Sequence, residues 1–175
     1  MRGTAGGPPI VAVDVDGTLN ALSLYPRPGF SVYEVNGYRL QLCRPLGERL
    51  TRVANAFGAE LVWATTWEDD ANTKIAHKVG LPPTLPVIHF TRARPAGLTW
   101  KLASVARYVA ERPLAWLDDD LDEDAFAWAA ARSDDGVPSL LVQTDPLTGV
   151  TDDDLDRLEG WLRDLGRSRG IARPS

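Results

Sequence analysis

Asp14-Val15-Asp16-Gly17-Thr18 places two carboxylates two positions apart, with a glycine directly behind them. In an extended chain both side chains point the same way, so their charges repel unless a cation lies between them. Gly17 permits the tight turn in which backbone N–H groups face an anion. Three further segments carry groups suited to phosphate chemistry. Thr65-Thr66 offers hydroxyls to a phosphate oxygen, Lys101 offers an ammonium, and Asp118-Asp119-Asp120 offers carboxylates behind the apolar pair Trp116-Leu117. Each alone has an ordinary explanation: a solvated Asp-Gly turn, threonines closing a strand, a surface lysine, or acids favouring a helix start. Asp122, Glu123 and Asp124 fit that last explanation. Asp118 and Asp119 do not, because a carboxylate abutting a buried strand wants a partner, which a metal ion or Lys101 would supply.

For these groups to meet, the elements between them must bring separate strand ends to one edge. Apolar runs at residues 10–14, 61–64, 114–117 and 139–143 read as buried strands. Residues 86–90 read as another, with flanking prolines and the irregular loop 91–98 against it. Residues 30–35 and 38–42 flank Asn36-Gly37 and so read as a hairpin. Helices are expected over residues 45–57 and 68–79, stopped by Gly58 and Gly80, over 99–110 with Thr99 as cap, and over 125–131. A last helix, capped by Thr151 with Asp152, Asp153 and Asp154, is expected to run to about residue 165. Strands alternating with helices predict an α/β fold: a three-layer sandwich with a mainly parallel sheet of about five strands, plus a small β-hairpin flap after strand one. Such sheets bind ligands at the carboxyl ends of their strands, where Asp14, Thr65 and Asp118 fall. One domain over residues 10–165 is expected, between a disordered N-terminal segment, 1–9, and a flexible tail, 166–175.

The order D-x-D-G-T, strand-end Thr, Lys, then D-D after a strand resembles the four motifs of the haloacid dehalogenase (HAD) superfamily. The resemblance spans about residues 10–123, and Asp14-Val15-Asp16-Gly17-Thr18-Leu19 matches the first signature throughout. It implies a Rossmann-like sheet and a Mg²⁺-dependent phosphomonoester hydrolase in which Asp14, as nucleophile, forms an aspartyl-phosphate. By the same resemblance Asp16 is the general acid/base. Thr65, with Thr66 as the other choice, and Lys101 bind the substrate phosphate. Asp14, Asp16 and Asp119 hold the metal, with Asp118 beside Asp119 as its neighbour or a further ligand. Dehalogenase members lack an acid at the position of Asp16, so phosphate chemistry is implied. The short spans between Leu19 and Pro45 and between Gly80 and Lys101 resemble the minimally capped class, whose open sites accept larger or polymeric substrates. HAD domains of nucleic-acid end repair share this layout, including the stretch 65–72 with its Trp67. A phosphorylated small molecule, such as a nucleotide, or a nucleic-acid end is therefore the expected partner.

The net charge of −5, with 44% hydrophobic and 25% charged residues, describes an ordinary globular chain without a basic field for tracking nucleic acid. A local basic pocket is compatible with that charge, and Arg27, Arg39, Arg92 and Arg94 are candidates for a second anionic group. Trp67 is a candidate for stacking on a base, although six tryptophans make a packing role the simpler one. The lone Cys43 fits a reducing compartment, and no apolar run suggests a leader or a membrane span, so a cytoplasmic location with no obligate protein partner is expected. The chain lacks G-x-x-x-x-G-K-[ST], and His77 and His89 are too few and too scattered for a zinc site. Two alternatives remain: a catalytically inactive HAD-fold binding protein, or a phospho-acceptor receiver-like domain. A receiver carries its paired acids first and its lysine last, the reverse of the order here.

Overall fold

Short apolar runs, buried on both faces, form the centre of this computed structural model, which describes residues 7–91 and 100–168. In chain order the strands are β1 (Ile10–Val13), β2 (Ser31–Val35), β3 (Tyr38–Leu42), β4 (Glu60–Trp63), β5 (Leu114–Asp118) and β6 (Ser139–Gln143). The helices are α1 (Arg44–Ala56), α2 (Ala76–Val79), α3 (Leu102–Val109), α4 (Glu123–Asp134) and α5 (Asp152–Ser168). Strands β4-β1-β5-β6 form one parallel sheet, and β2-β3 form a separate antiparallel hairpin. All four residues of β1 are buried, as a central strand between two covered faces requires.

Alternation along the strands sorts the core into two layers. Val11, Val13, Leu61, Trp63, Ala115 and Leu117 face α1, α2, α5 and the hairpin. Ile10, Ala12, Val62, Ala64, Leu114 and Trp116 face α3 and α4. The helix ends follow the expected chemistry. Asp122 caps α4 by accepting from the Ala125 N–H at 3.0 Å. Thr151 and Asp154 form a reciprocal box at the start of α5, Asp154 N–H donating to Thr151 Oγ1 (3.2 Å) and Thr151 N–H to Asp154 Oδ2 (2.9 Å).

Several expectations need correction. Among the described residues the parallel sheet has four strands against the expected five or so, because residues 86–90 contribute a single parallel bridge, Trp63 with Val87. Trp63 N–H donates to the Pro86 carbonyl at 2.8 Å and Ile88 N–H to the Trp63 carbonyl at 2.9 Å, and there the ladder stops. Pro86 itself has no N–H to offer. The helix expected over 68–79 contains a π-helical turn, Ala71–Ile75, before α2. That widened turn carries Asn72, which accepts from the buried Trp63 indole (2.9 Å) and pairs with Leu85 N–H (3.0 Å) and its carbonyl (2.8 Å). Helix α5 continues to Ser168, into the expected tail. Residues 8 and 9, expected within a disordered segment, are tied to the domain: the Pro9 carbonyl accepts from Glu60 N–H (2.8 Å) and that of Pro8 from Arg112 (2.9 Å). The capping position Thr99 lies outside the described residues. No helix among those described is long and apolar enough to cross a membrane.

Helices α1 and α2 meet at a glycine. A Cβ on Gly47 would lie 1.8 Å from the Val79 carbonyl oxygen, so only hydrogen fits there. Gly47→Ala should therefore lose about 1–3 kcal/mol through overpacking, lowering Tm by roughly 2–4 °C for each kcal/mol in a chain of this size. Calorimetry checks this, and an unchanged Tm would refute the close approach.

Candidate active site

Parallel pairing brings the chemical groups together. Val13 lies opposite Trp63 on β4 and Leu117 on β5, so the next residues along the strands are Asp14, Ala64 and Asp118. Asp14 N–H donates to the Leu117 carbonyl (3.0 Å) and Ala64 N–H to the Val13 carbonyl (2.9 Å), carrying the register past the strand ends. Lys101, directly before α3, reaches into this edge. Its Nζ lies 2.7 Å from Asp14 Oδ2 and 2.7 Å from Asp118 Oδ2. All three side chains are buried. Asp118 is used further, accepting from the Trp116 indole (3.2 Å) and from Asp120 N–H (2.9 Å).

Asp119 completes the cluster from a less buried position. Oxygens of Asp14, Asp118 and Asp119 lie within 4.8 Å of one another. Gly17, at φ +72°, makes room for Asp119, since a Cβ there would sit 2.2 Å from the Asp119 carboxyl carbon. The D-x-D-G-T turn is braced from behind by Thr144, whose hydroxyl donates to the Gly17 carbonyl (2.8 Å) and lies 3.1 Å from that of Thr18.

Three carboxylates against one ammonium would leave two negative charges if all were ionised, which a desolvated place opposes. Burial, and then the charge of Asp118, push the Asp14 carboxyl up to about 7, although Lys101 and a hydrogen bond from Thr65 pull it down. Burial also raises Asp118 against the pull of Lys101, and burial followed by Asp14 raises Asp119. Burial works against the Lys101 ammonium, yet Asp14 and Asp118 outweigh it and hold its pKa above the ordinary value. A hard divalent cation suits this deficit and this all-oxygen donor set. Asp14 accepts from Lys101 and from the Val15 N–H (2.7 Å each), and Asp118 from Lys101, Trp116 and Asp120, so Asp118 is the more heavily committed of the two.

The expected Asp16 ligand stands outside that cluster. Its carboxylate oxygens accept from the Asn20 amide (Oδ1, 2.8 Å) and from the Trp67 indole (Oδ2, 2.9 Å). Thr65 is fully buried and beside Asp14, whereas Thr66, one residue on, is exposed. Arg27 does not face an open anion site: it donates to the Thr148 carbonyl and its guanidinium covers Phe30 at 4.9 Å. Arg39 is exposed with one long bond to the Ser23 carbonyl (3.4 Å), and Arg92 and Arg94 lie outside the described residues. Sequence reasoning missed Thr144 and Asn20. Thr144 directly follows β6, so the rule of inspecting residues behind each strand points to it. Asn20 carries no signal except its place four residues after Asp16.

No curated protein and no solved structure matches the chain. One family model does, that of the HAD domain in Swiss Army Knife RNA repair proteins, over residues 10–155. With this match over most of its length and a parallel sheet to accompany it, the chain belongs to this family of the HAD superfamily.

Proposed function

We propose that the protein is a magnesium-dependent phosphatase that cleaves phosphomonoesters at nucleic-acid ends. The observation that carries this reading is the Lys101 bridge between Asp14 and Asp118, with Asp119 alongside at the same strand ends. Membership of a family whose HAD domains occur in RNA repair proteins supports the substrate class.

In this reading Asp14 and Asp119 hold Mg²⁺, with Asp118 behind them. The bound ion supplies the positive charge that lets an anionic carboxylate meet a phosphate dianion. Two of the three Lys101 donors meet carboxylates, and the third remains for a phosphate oxygen. The Thr65 hydroxyl, buried beside Asp14, holds another phosphate oxygen. An oxygen of Asp14 forms a bond to phosphorus while the ester P–O bond breaks, its electron pair going to the leaving oxygen. Asp16 gives that oxygen its proton, releasing the alcohol. Water then attacks phosphorus, its proton passing to Asp16, and the Asp14–phosphorus bond breaks to free phosphate.

Phosphate release from phosphorylated oligonucleotides, compared with sugar phosphates and phosphopeptides, tests the proposal. The expected outcome is turnover that stops in excess chelator and returns with Mg²⁺; undiminished activity in chelator would sink the metal mechanism. Asp14→Asn should abolish turnover with the fold intact, and Asp16→Asn should lose about a hundred- to ten-thousand-fold on oligonucleotide ends. A stable stoichiometric phosphoprotein without sustained release would favour a receiver instead.

Asp14 also predicts a linked pH effect. Its folded pKa of about 7 lies above the ordinary 3.8, so the folded metal-free protein keeps a proton that the unfolded chain loses. The contribution of Asp14 to metal-free stability therefore falls as pH rises from about 4 to about 7. Mg²⁺ competes with that proton, so the Tm gain on adding Mg²⁺ should be larger at pH 8 than at pH 5.5, and the difference should shrink in Asp14→Asn. Equal gains at both pH values in the wild type would contradict the linkage.

A further inference from the structure

Asp16 is half-buried, and both of its carboxylate oxygens are held by side-chain donors from different segments. Asn20 grips one oxygen, and Trp67, in the turn after β4, grips the other. Each donor is itself fixed by the hairpin. Gln41 N–H donates to the Asn20 side-chain oxygen at 2.7 Å. Tyr38 packs against the Trp67 ring, centroids 5.8 Å apart at 77°. The hairpin tip is in turn bound to the segment after Trp67, Asn36 donating to Asp70 (2.9 Å) and accepting from Lys74 (3.0 Å).

Water would satisfy a half-exposed carboxylate at no structural cost, so the indole does something that solvation does not. It restrains a carboxyl group that otherwise samples several rotamers. Each carboxyl oxygen has two lone pairs, so one bond apiece still leaves room to carry and deliver a proton. The Trp67 ring meets Tyr38 in a T-shaped contact and gives its N–H to Asp16, so one side chain links the hairpin to that carboxylate.

We infer that Trp67 is a positioning residue for the acid: its N–H, backed by Tyr38 of the hairpin, fixes the Asp16 carboxyl where it protonates the leaving oxygen. This rests on the phosphatase reading above. The consequence is selective. A leaving group that is already a good one needs little protonation, whereas a basic alkoxide or phenoxide depends on a correctly placed acid.

The test is a series of substituted phenyl phosphates, from strongly to weakly acidic phenols, hydrolysed with Mg²⁺ by wild type and by Trp67→Phe. Phenylalanine keeps an aromatic ring at this position and removes the N–H donor together with the five-membered part of the indole. The most acidic phenol should be released within about two-fold of the wild-type rate, and the least acidic about ten- to hundred-fold more slowly, steepening the leaving-group dependence. In an Asp16→Asn background the same substitution should change nothing further, because its effect passes through Asp16. A uniform loss across the series, no loss at all, or a further loss in the Asp16→Asn background would each overturn the inference. Should Trp67→Phe not fold, Tyr38→Leu, at an exposed position, decides: it should steepen the series in the same direction, and a wild-type slope there would overturn the inference. Failure of the phosphatase reading is distinct, since wild type would then release no phosphate from any member of the series.

Discussion

A single ammonium holds the strand ends together. Lys101 sits between Asp14 and Asp118 at 2.7 Å from each, and all three are withdrawn from water. Removing that ammonium would be strongly destabilising, because it strands two buried carboxylates without solvent or partner. The three residues come from separate places: behind β1, at the end of β5 and at the start of α3. Their meeting therefore depends on the parallel register of β1 with β5 and on α3 crossing that end of the sheet. One lysine cannot neutralise three carboxylates, and the remaining deficit is what gives the place its demand for a cation.

Around this ion pair the backbone is shaped by two tolerances. Gly17 has no side chain, so the Asp119 carboxyl rests against its backbone. Thr144 fills the space behind the same turn and fixes its carbonyl. Within the turn the Gly17 N–H donates to the Asn20 carbonyl (2.9 Å), the Thr18 N–H to the Val15 carbonyl (3.2 Å) and the Val15 N–H to Asp14 (2.7 Å), so the N–H groups expected to face an anion are spent on closing the turn itself.

The insert between β1 and α1 acts as a brace more than a lid. Val35, Leu40 and Leu42 of the hairpin are buried in the same layer as α1 and α5, which pins it to the sheet. From that anchorage β3 reaches Asn20 through Gln41 and Trp67 through Tyr38, the two donors on Asp16. The insert is short, a two-stranded antiparallel hairpin with its connecting loops.

Much of this was legible in the chain itself. Apolar runs marked β1, β4, β5 and β6, Asn36-Gly37 marked the hairpin, and the places of Asp14, Thr65 and Asp118 behind strands marked the edge that Lys101, at a helix start, also reaches. These are local signals, carried by periodicity and turn chemistry. Pro86 defeated the fifth strand because one run of sequence does not reveal how far a ladder extends, and the π-helical turn answers to the tertiary partners of Asn72. The choice between Thr65 and Thr66, and the different surroundings of Asp118 and Asp119, rest on which neighbour the sheet buries. The side-chain bonds that hold Asp16 join residues up to 51 positions apart. The sequence by itself determined which groups exist and near which strand ends they stand. Only the tertiary structure decided which of them share a proton, a cation or a hydrogen bond, because those depend on distances and desolvation set by packing between distant segments.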